Sequence, residues 1–312
     1  MRSERLVAVI ELIAAGALWG FGFVAATWAL AGMTPLAITG WRFVIAVVVG
    51  GAIVVAMPKL RRDLNWRGFF AAAAPGLFIS LSLVTQTYGL RFTTATKSGF
   101  ITILYVLLVP LLERLWLKRA VPKYHVVYVL GALVGVALIC DLPSAFTASP
   151  GSTSRESLNV GDALTLLCAV FAALQIIWYG RIQDRIGSSF VFNLYQSIWA
   201  GVIPLAISLA IEPMPAIPEA SVLYGLLMLS LGSTLIAFAL QIRAQKKISP
   251  SLASLLFLLE SPFAALFAFL LLNERMTTAG SVGAAIILLS LASSVIFARE
   301  SHVELFDGGP NK

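Results

Sequence analysis

Charge is scarce in this chain. Of its 312 residues only 12% are Asp, Glu, Lys or Arg, against 59% hydrophobic, a balance that no soluble globular class shows. Histidine and cysteine are scarce as well, with two of each. His125 and His302 lie near or beyond the ends of apolar stretches and there is no His-Glu-x-x-His pair, so the usual ligands of an intramembrane metalloenzyme are missing. The five aspartates fall at span ends, in loops or in the tail, so none of them cluster to hold a metal-bound diphosphate. The phosphate-cradling pattern Gly-x4-Gly-Lys-Ser/Thr does not occur either, which excludes nucleotide-driven pumping by this chain alone. Rings of repeated charge and a carbonyl filter are absent, and the polar segments are too short for a ligand-binding or signalling domain, which disfavours a channel or receptor. Cys140 and Cys168 have no metal-ligand spacing, and a disulfide between them is possible but not forced. No catalytic residue, cofactor or metal is expected, and the chain does not read as an enzyme.

What remains is hydrocarbon in long runs. About 20 apolar residues cross a bilayer at roughly 1.5 Å per residue, and ten such runs can be drawn: Leu6 to Ala31, Pro35 to Met57, Trp66 to Leu90, Thr93 to Leu115, Tyr124 to Cys140, Gly161 to Ile182, Ser188 to Ile211, Glu219 to Arg243, Ser249 to Leu272 and Thr278 to Ala298. Arg2 and Arg5 ahead of the first run suggest a secretory signal. That run is too long, carries Glu11, and its removal would leave an odd number of spans.

The net charge of +7 has a topological cause rather than a nucleic-acid partner, because the basic residues are scattered through short connections. Seventeen Lys and Arg fall on one side; Arg91, Lys97, Arg155 and Arg275 fall on the other, and Arg42 lies within a span. The positive-inside bias then puts both termini in the cytoplasm, as an even number of spans requires. Shifting the sequence by 152 places Arg91 on Arg243, Pro110 on Pro262 and Gly131 on Gly283. Five spans inserted twice must have the second copy upside down, which is the inverted-repeat plan of secondary transporters. The expected fold is all-α and integral to the membrane, with ten transmembrane helices in two inverted five-helix repeats. Residues 1–141 form the first, 142–158 an extracytoplasmic linker, 159–298 the second and 299–312 a cytoplasmic tail.

Glu260 stands near the middle of the ninth span with Pro262 beside it, about 16 Å from the end at Ser249. An Asp or basic residue at the bilayer centre costs about 2.5 to 3.5 kcal/mol, so an acid at that depth usually faces a partner, a wet cavity or a transport path. The plainer alternative is a protonated Glu260 capping a backbone carbonyl freed by Pro262. Arg42 lies at the same level, about 10 Å in from Pro35, either lining one polar cavity with Glu260 or snorkelling to the outer headgroups. Lys97 is shallower, about 6 Å inside its span. It either attracts a carboxylate or, as is usual for a long basic side chain near a helix end, reaches the interface.

Ser80, Ser82, Thr85, Gln86 and Tyr88 crowd the outer end of the third span, as a wet wall or as helix-to-helix hydrogen bonds. Trp28, Trp41, Trp66 and Trp116 suit interfacial belts, whereas Trp19 and Trp199 lie mid-span with Tyr105 and Tyr195 near in depth. Those two indoles either face a cavity for apolar or aromatic solutes or pack on neighbouring helices. Gly16 with Gly20, and Gly131 with Gly135, form small faces for close helix contact, within one bundle or between two chains.

Three segments carry a family resemblance: LESPFAALFAFLLLNE (Leu259 to Glu274), GALWGFGFV (Gly16 to Val24) and GLRFTTATKSGFITILYVLLVPLL (Gly89 to Leu112). They resemble the penultimate helix with its acidic turn, the first helix, and the third-to-fourth helix junction of EamA-type transporters in the drug/metabolite transporter superfamily. Ser261 between Glu260 and Pro262 departs from the many relatives in which Glu and Pro are adjacent. The resemblance implies a secondary transporter of the bacterial plasma (inner) membrane that moves small metabolites, often by export of amino acids or related compounds. Substrate-binding or coupling roles are expected for Glu260, Arg42, Lys97, Trp19, Tyr88, Gln86, Tyr105 and Trp199. The partners expected are a small solute, protons and lipid, in a monomer or weak homodimer.

Overall fold

A computed structural model describes residues 2–117, 124–141, 158–182, 185, 187–212, 219–247 and 256–307. Every regular element among them is helical: α1 (Arg2–Ala29), α2 (Pro35–Ala56), α3 (Pro58–Arg61), α4 (Trp66–Ala71), α5 (Ala73–Gly89), α6 (Ala95–Thr102), α7 (Tyr105–Leu117) and α8 (Tyr124–Ile139) in the first half. The second half has α9 (Val160–Ile182), α10 (Ser189–Ile211), α11 (Ala220–Leu227), a π-helical segment (Met228–Ile236), α12 (Ala237–Ala244), α13 (Glu260–Leu272) and α14 (Thr278–Asp307). Most of the 142–158 connection, the start of the ninth span at Ser249, and Lys118, Arg119, Lys123, Arg155 and Lys312 lie outside the described residues, as does the side chain of Trp116.

Six helical runs are long and apolar enough to cross a membrane: Leu6–Ala29, Pro35–Ala56, Trp66–Gly89, Val160–Tyr179, Ser189–Ile211 and Ala220–Ala244. Among the described residues there are also four shorter apolar helices, Ala95–Val109, Val126–Ile139, Glu260–Leu272 and Thr278–Ser293. Leu, Val and Ile are exposed along these helices, as at Val48, Leu130, Leu209 and Leu289. In water such surfaces would aggregate, but against acyl chains they need no cover.

Helix ends follow local chemistry. Thr34 caps α2 by accepting from the Ala37 N–H at 3.2 Å, with Pro35 in the first turn, where its missing N–H costs nothing. Thr94 caps α6 in the same way through Lys97 N–H. Asn273 ends α13 in the left-handed region at φ 55°, a conformation that Asn tolerates because its short amide bonds locally.

Two runs that read as continuous in the sequence are broken. The chain turns at Ile103 and Leu104 between α6 and α7, and again at Leu258 and Leu259 ahead of α13. The second break has a direct cause: Pro262 has no N–H to give to the carbonyl four residues back, that of Leu258. Glu260 is therefore the first residue of a 13-residue helix rather than the middle of a long one.

Packing repeats when the halves are exchanged. In the second half α9 lies against α5, α6 and α7, just as α1 of the first half lies against α11, the π segment, α12 and α13; α2 faces α10, and α8 faces α14. Both glycine faces are used inside the bundle. A Cβ at Gly20 would meet the Ala264 nitrogen at 2.8 Å, and one at Gly135 the Gly283 oxygen at 2.6 Å.

Candidate functional site

Between the halves lies a cavity of about 80 Å³ with both breaks at its edge. The first half contributes Trp19, Gly22 and Phe23 from α1, Arg42 from α2, Ile79, Ser82, Leu83 and Gln86 from α5, Thr102 from α6 and Tyr105 from α7. The second half contributes Cys168, Ala172, Gln175 and Ile176 from α9, Leu229 and Ser233 from the π segment, Phe238 and Gln241 from α12, and Glu260 from α13. Such a volume holds a few waters and is well below the roughly 300 to 1,000 Å³ of drug-sized pockets. The site is contracted.

Arg42 is 4% exposed and Glu260 7%. Arg42 Nε donates to Thr234 Oγ1 at 2.9 Å, and its Nη2 reaches the Leu229 carbonyl at 3.4 Å. A π turn widens the helix and frees carbonyls for such use. Snorkelling to the headgroups is therefore not what Arg42 does. Glu260 Oε2 accepts from the Tyr105 hydroxyl at 3.3 Å, so the first residues of α7 and α13 meet across the cavity. No ion pair joins Arg42 and Glu260 among the described residues. Two ionisable groups of opposite sign thus line one cavity without an ion pair between them.

Trp19 closes one wall. Its indole donates to the Ser233 carbonyl at 3.2 Å and its ring lies 5.3 Å from Phe238 and 5.9 Å from Phe257. Gln86 Nε2 donates to Thr102 Oγ1 at 3.2 Å and faces the thiol of Cys168, whose sulfur also lies 3.2 Å from Ser82 Oγ. Ser82 and Gln86 stand one turn apart and share the cavity face. Thr85 bonds back to Leu81, and Tyr88 is half-buried on another face of α5. Both cysteines are free thiols.

Besides Tyr88, two more expected site residues lie outside the cavity lining. Trp199 packs 5.2 Å from Phe69 and donates to the Phe69 carbonyl at 2.9 Å, outside the cavity lining. Lys97 is 4% exposed and does not reach the interface; its Nζ meets Asp162 Oδ2 at 2.9 Å, away from the central cavity. The carboxylate that α9 supplies within reach gives the ammonium a counter-charge, so it does not stand uncompensated in the bundle. The sequence reading missed Cys168, Gln175, Gln241, Phe238 and Ser233. Gln175 and Gln241 are amides inside apolar runs, a signal that was available and weaker than a charge.

A family model for EamA-like transporters matches residues 6–140 and again residues 159–296. The chain belongs to the EamA-like transporter family. Among its relatives is an uncharacterized transporter of Archaeoglobus fulgidus, 29% identical over 288 residues, covering 92% of this chain and 85% of that one. Protein PecM of Dickeya dadantii is 26% identical over 201 residues, covering 64% and 65%. A crystal structure of another protein matches with TM-score 0.64 at 20% identity, over 94% of this chain and 98% of that one, which shows the fold. This EamA-like chain is accordingly an integral membrane transporter.

Proposed function

We propose that this transporter is a secondary exporter of small amphipathic metabolites, amino acids among them, working by alternating access. Ten spans in two inverted repeats, residues 1–141 and 159–298, rock about the central cavity, with both termini in the cytoplasm of a bacterial inner membrane. Glu260 changes proton occupancy or partner as solute enters, Arg42 receives an anionic group, and Trp19 packs on the apolar body. The observation that carries this reading is the pair of buried opposite charges, Arg42 and Glu260, in one cavity without an ion pair between them. The contracted volume means that the cavity must widen on one side to admit solute.

The test is flux. Amino acids are screened by thermal shift in detergent, and the hits are followed in proteoliposomes across an imposed pH gradient. Flux that saturates, speeds up with counter-solute and responds to the gradient is expected, and Glu260→Gln should lower it by about tenfold or more with normal insertion. Intact flux in that variant at every pH removes the coupling role of Glu260. Flux indifferent to the gradient in the wild type leaves a facilitative permease, and formation of a product reveals an enzyme.

A further inference from the structure

Among the described residues, two ion pairs join the halves, one toward each end of the bundle. Lys97 of α6 meets Asp162 of α9 near the start of α9, and Glu11 of α1 meets Arg243 of α12 near the end of α12. The same 152-residue shift that puts Arg91 on Arg243 brings Glu11 to within one residue of Asp162. Each half thus provides one carboxylate, from the N-terminal half of its first helix, to a partner on the other half.

The Lys97 end is sealed tightly. Asp162 Oδ1 accepts from the Thr93 hydroxyl at 2.6 Å, and Oδ2 accepts from Asn159 N–H at 3.0 Å besides Lys97. Below the pair, Gly89 of α5 and Gly161 of α9 touch so closely that a Cβ at Gly161 would sit 2.5 Å from the Gly89 oxygen. At the other end Arg243 is 56% exposed, while Glu11 is 6% exposed and its Oε2 has no hydrogen-bond partner.

We infer that Lys97 with Asp162, and Glu11 with Arg243, are the two opposed gates of the transport cycle, broken in alternation as the halves rock. The inference rests on the alternating-access reading. An ion pair with a buried member, both charges in Lys97–Asp162 and the carboxylate in Glu11–Arg243, suits a reversible gate for a specific reason: when the seam parts, water hydrates the buried charge and offsets the lost attraction. An apolar seam has no such compensation, because parting exposes hydrocarbon to water. Removing one charge and removing both therefore act in opposite directions. One lone buried charge drives the seam open toward water, and two well-packed apolar side chains hold it shut.

Cys168 in the cavity is the reporter, with Cys140 replaced by serine. A membrane-impermeant maleimide is applied to oriented vesicles from the Lys97 side and, separately, from the Arg243 side. Lys97→Met, which leaves the buried Asp162 carboxylate without its counter-charge, should speed labelling from the Lys97 side by about tenfold or more, a shift of at least about 1.4 kcal/mol in the open population. The double variant Lys97→Met with Asp162→Leu should slow it below the wild-type rate and lower flux. Arg243→Gln, which leaves the buried Glu11 carboxylate alone, should speed labelling from the Arg243 side and slow it from the other. Size-exclusion profiles check folding, and the double variant, which leaves no lone charge, keeps the test sound if Lys97→Met fails to fold. A merely structural pair predicts rates that move together or not at all, and either result overturns the gate. Wild-type flux is measured in parallel: flux without the opposed shifts refutes the gates alone, and absent flux refutes the transporter reading.

Discussion

Helix α1 approaches α13 so closely at Gly20 that a methyl group has no room. A Cβ there would sit 2.6 Å from Phe263 Cβ, 2.8 Å from the Ala264 nitrogen and 2.9 Å from the Glu260 carbonyl. Two of those three atoms are backbone, so relief requires the helices to part by several tenths of an ångström. Gly16, one turn earlier on the same face, has its nearest neighbour, the Glu260 nitrogen, at 3.7 Å, an ordinary contact. The two glycines form a controlled comparison. Alanine at either position gains up to about 1 kcal/mol of helix propensity. At Gly16 nothing opposes the gain, whereas at Gly20 overpacking costs about 1 to 3 kcal/mol. Gly20→Ala should therefore be less stable than Gly16→Ala by about 1 to 3 kcal/mol in reversible denaturation in detergent. The displaced helix begins at Glu260, so Gly20→Ala should also depress flux, and Gly16→Ala should leave it near wild type. Equal stability for the two variants, or a Gly20→Ala protein more stable than the wild type, would refute the packing argument.

Other variants probe separate parts of the site. Glu274 accepts from the backbone N–H of Ala95 and Thr96, both at 2.9 Å, and from the Thr96 hydroxyl at 2.7 Å; Glu274→Ala strands those donors, costs about 1 to 3 kcal/mol and lowers the melting temperature. Arg42→Lys cannot reproduce both guanidinium bonds, to Thr234 and to the Leu229 carbonyl, and solute flux should fall by about tenfold or more at unchanged expression. Trp199→Phe loses its bond to Phe69 and about 1 kcal/mol of stability, with the KM for solute unchanged; Trp19→Phe should shift KM, since Trp19 lines the cavity.

Much of the bundle was legible from residue pattern because the bilayer demands it: apolar runs must be long, and their backbone must bond within the run. The start of α2 at Pro35, the end of α10 at Ile211 and the start of α14 at Thr278 agree with the reading to the residue. The breaks at Leu104 and Leu259 did not show, because turn residues there are leucine and isoleucine, chosen for burial rather than for turn chemistry. The π segment at Met228–Ile236 left no mark either, since its residues suit an ordinary helix equally well.

The cost of placing charge in hydrocarbon made Glu260, Arg42 and Lys97 stand out in the bare chain, and no folding was needed to see it. Which of them meet is a different matter, fixed by how the helices of the two halves are seated. Arg42 and Glu260 are more than two hundred positions apart yet share a cavity, while Lys97 turns to Asp162. Desolvation belongs to the residue and its depth, so it can be read along one dimension; pairing belongs to neighbours, and neighbours exist only once the helices have packed.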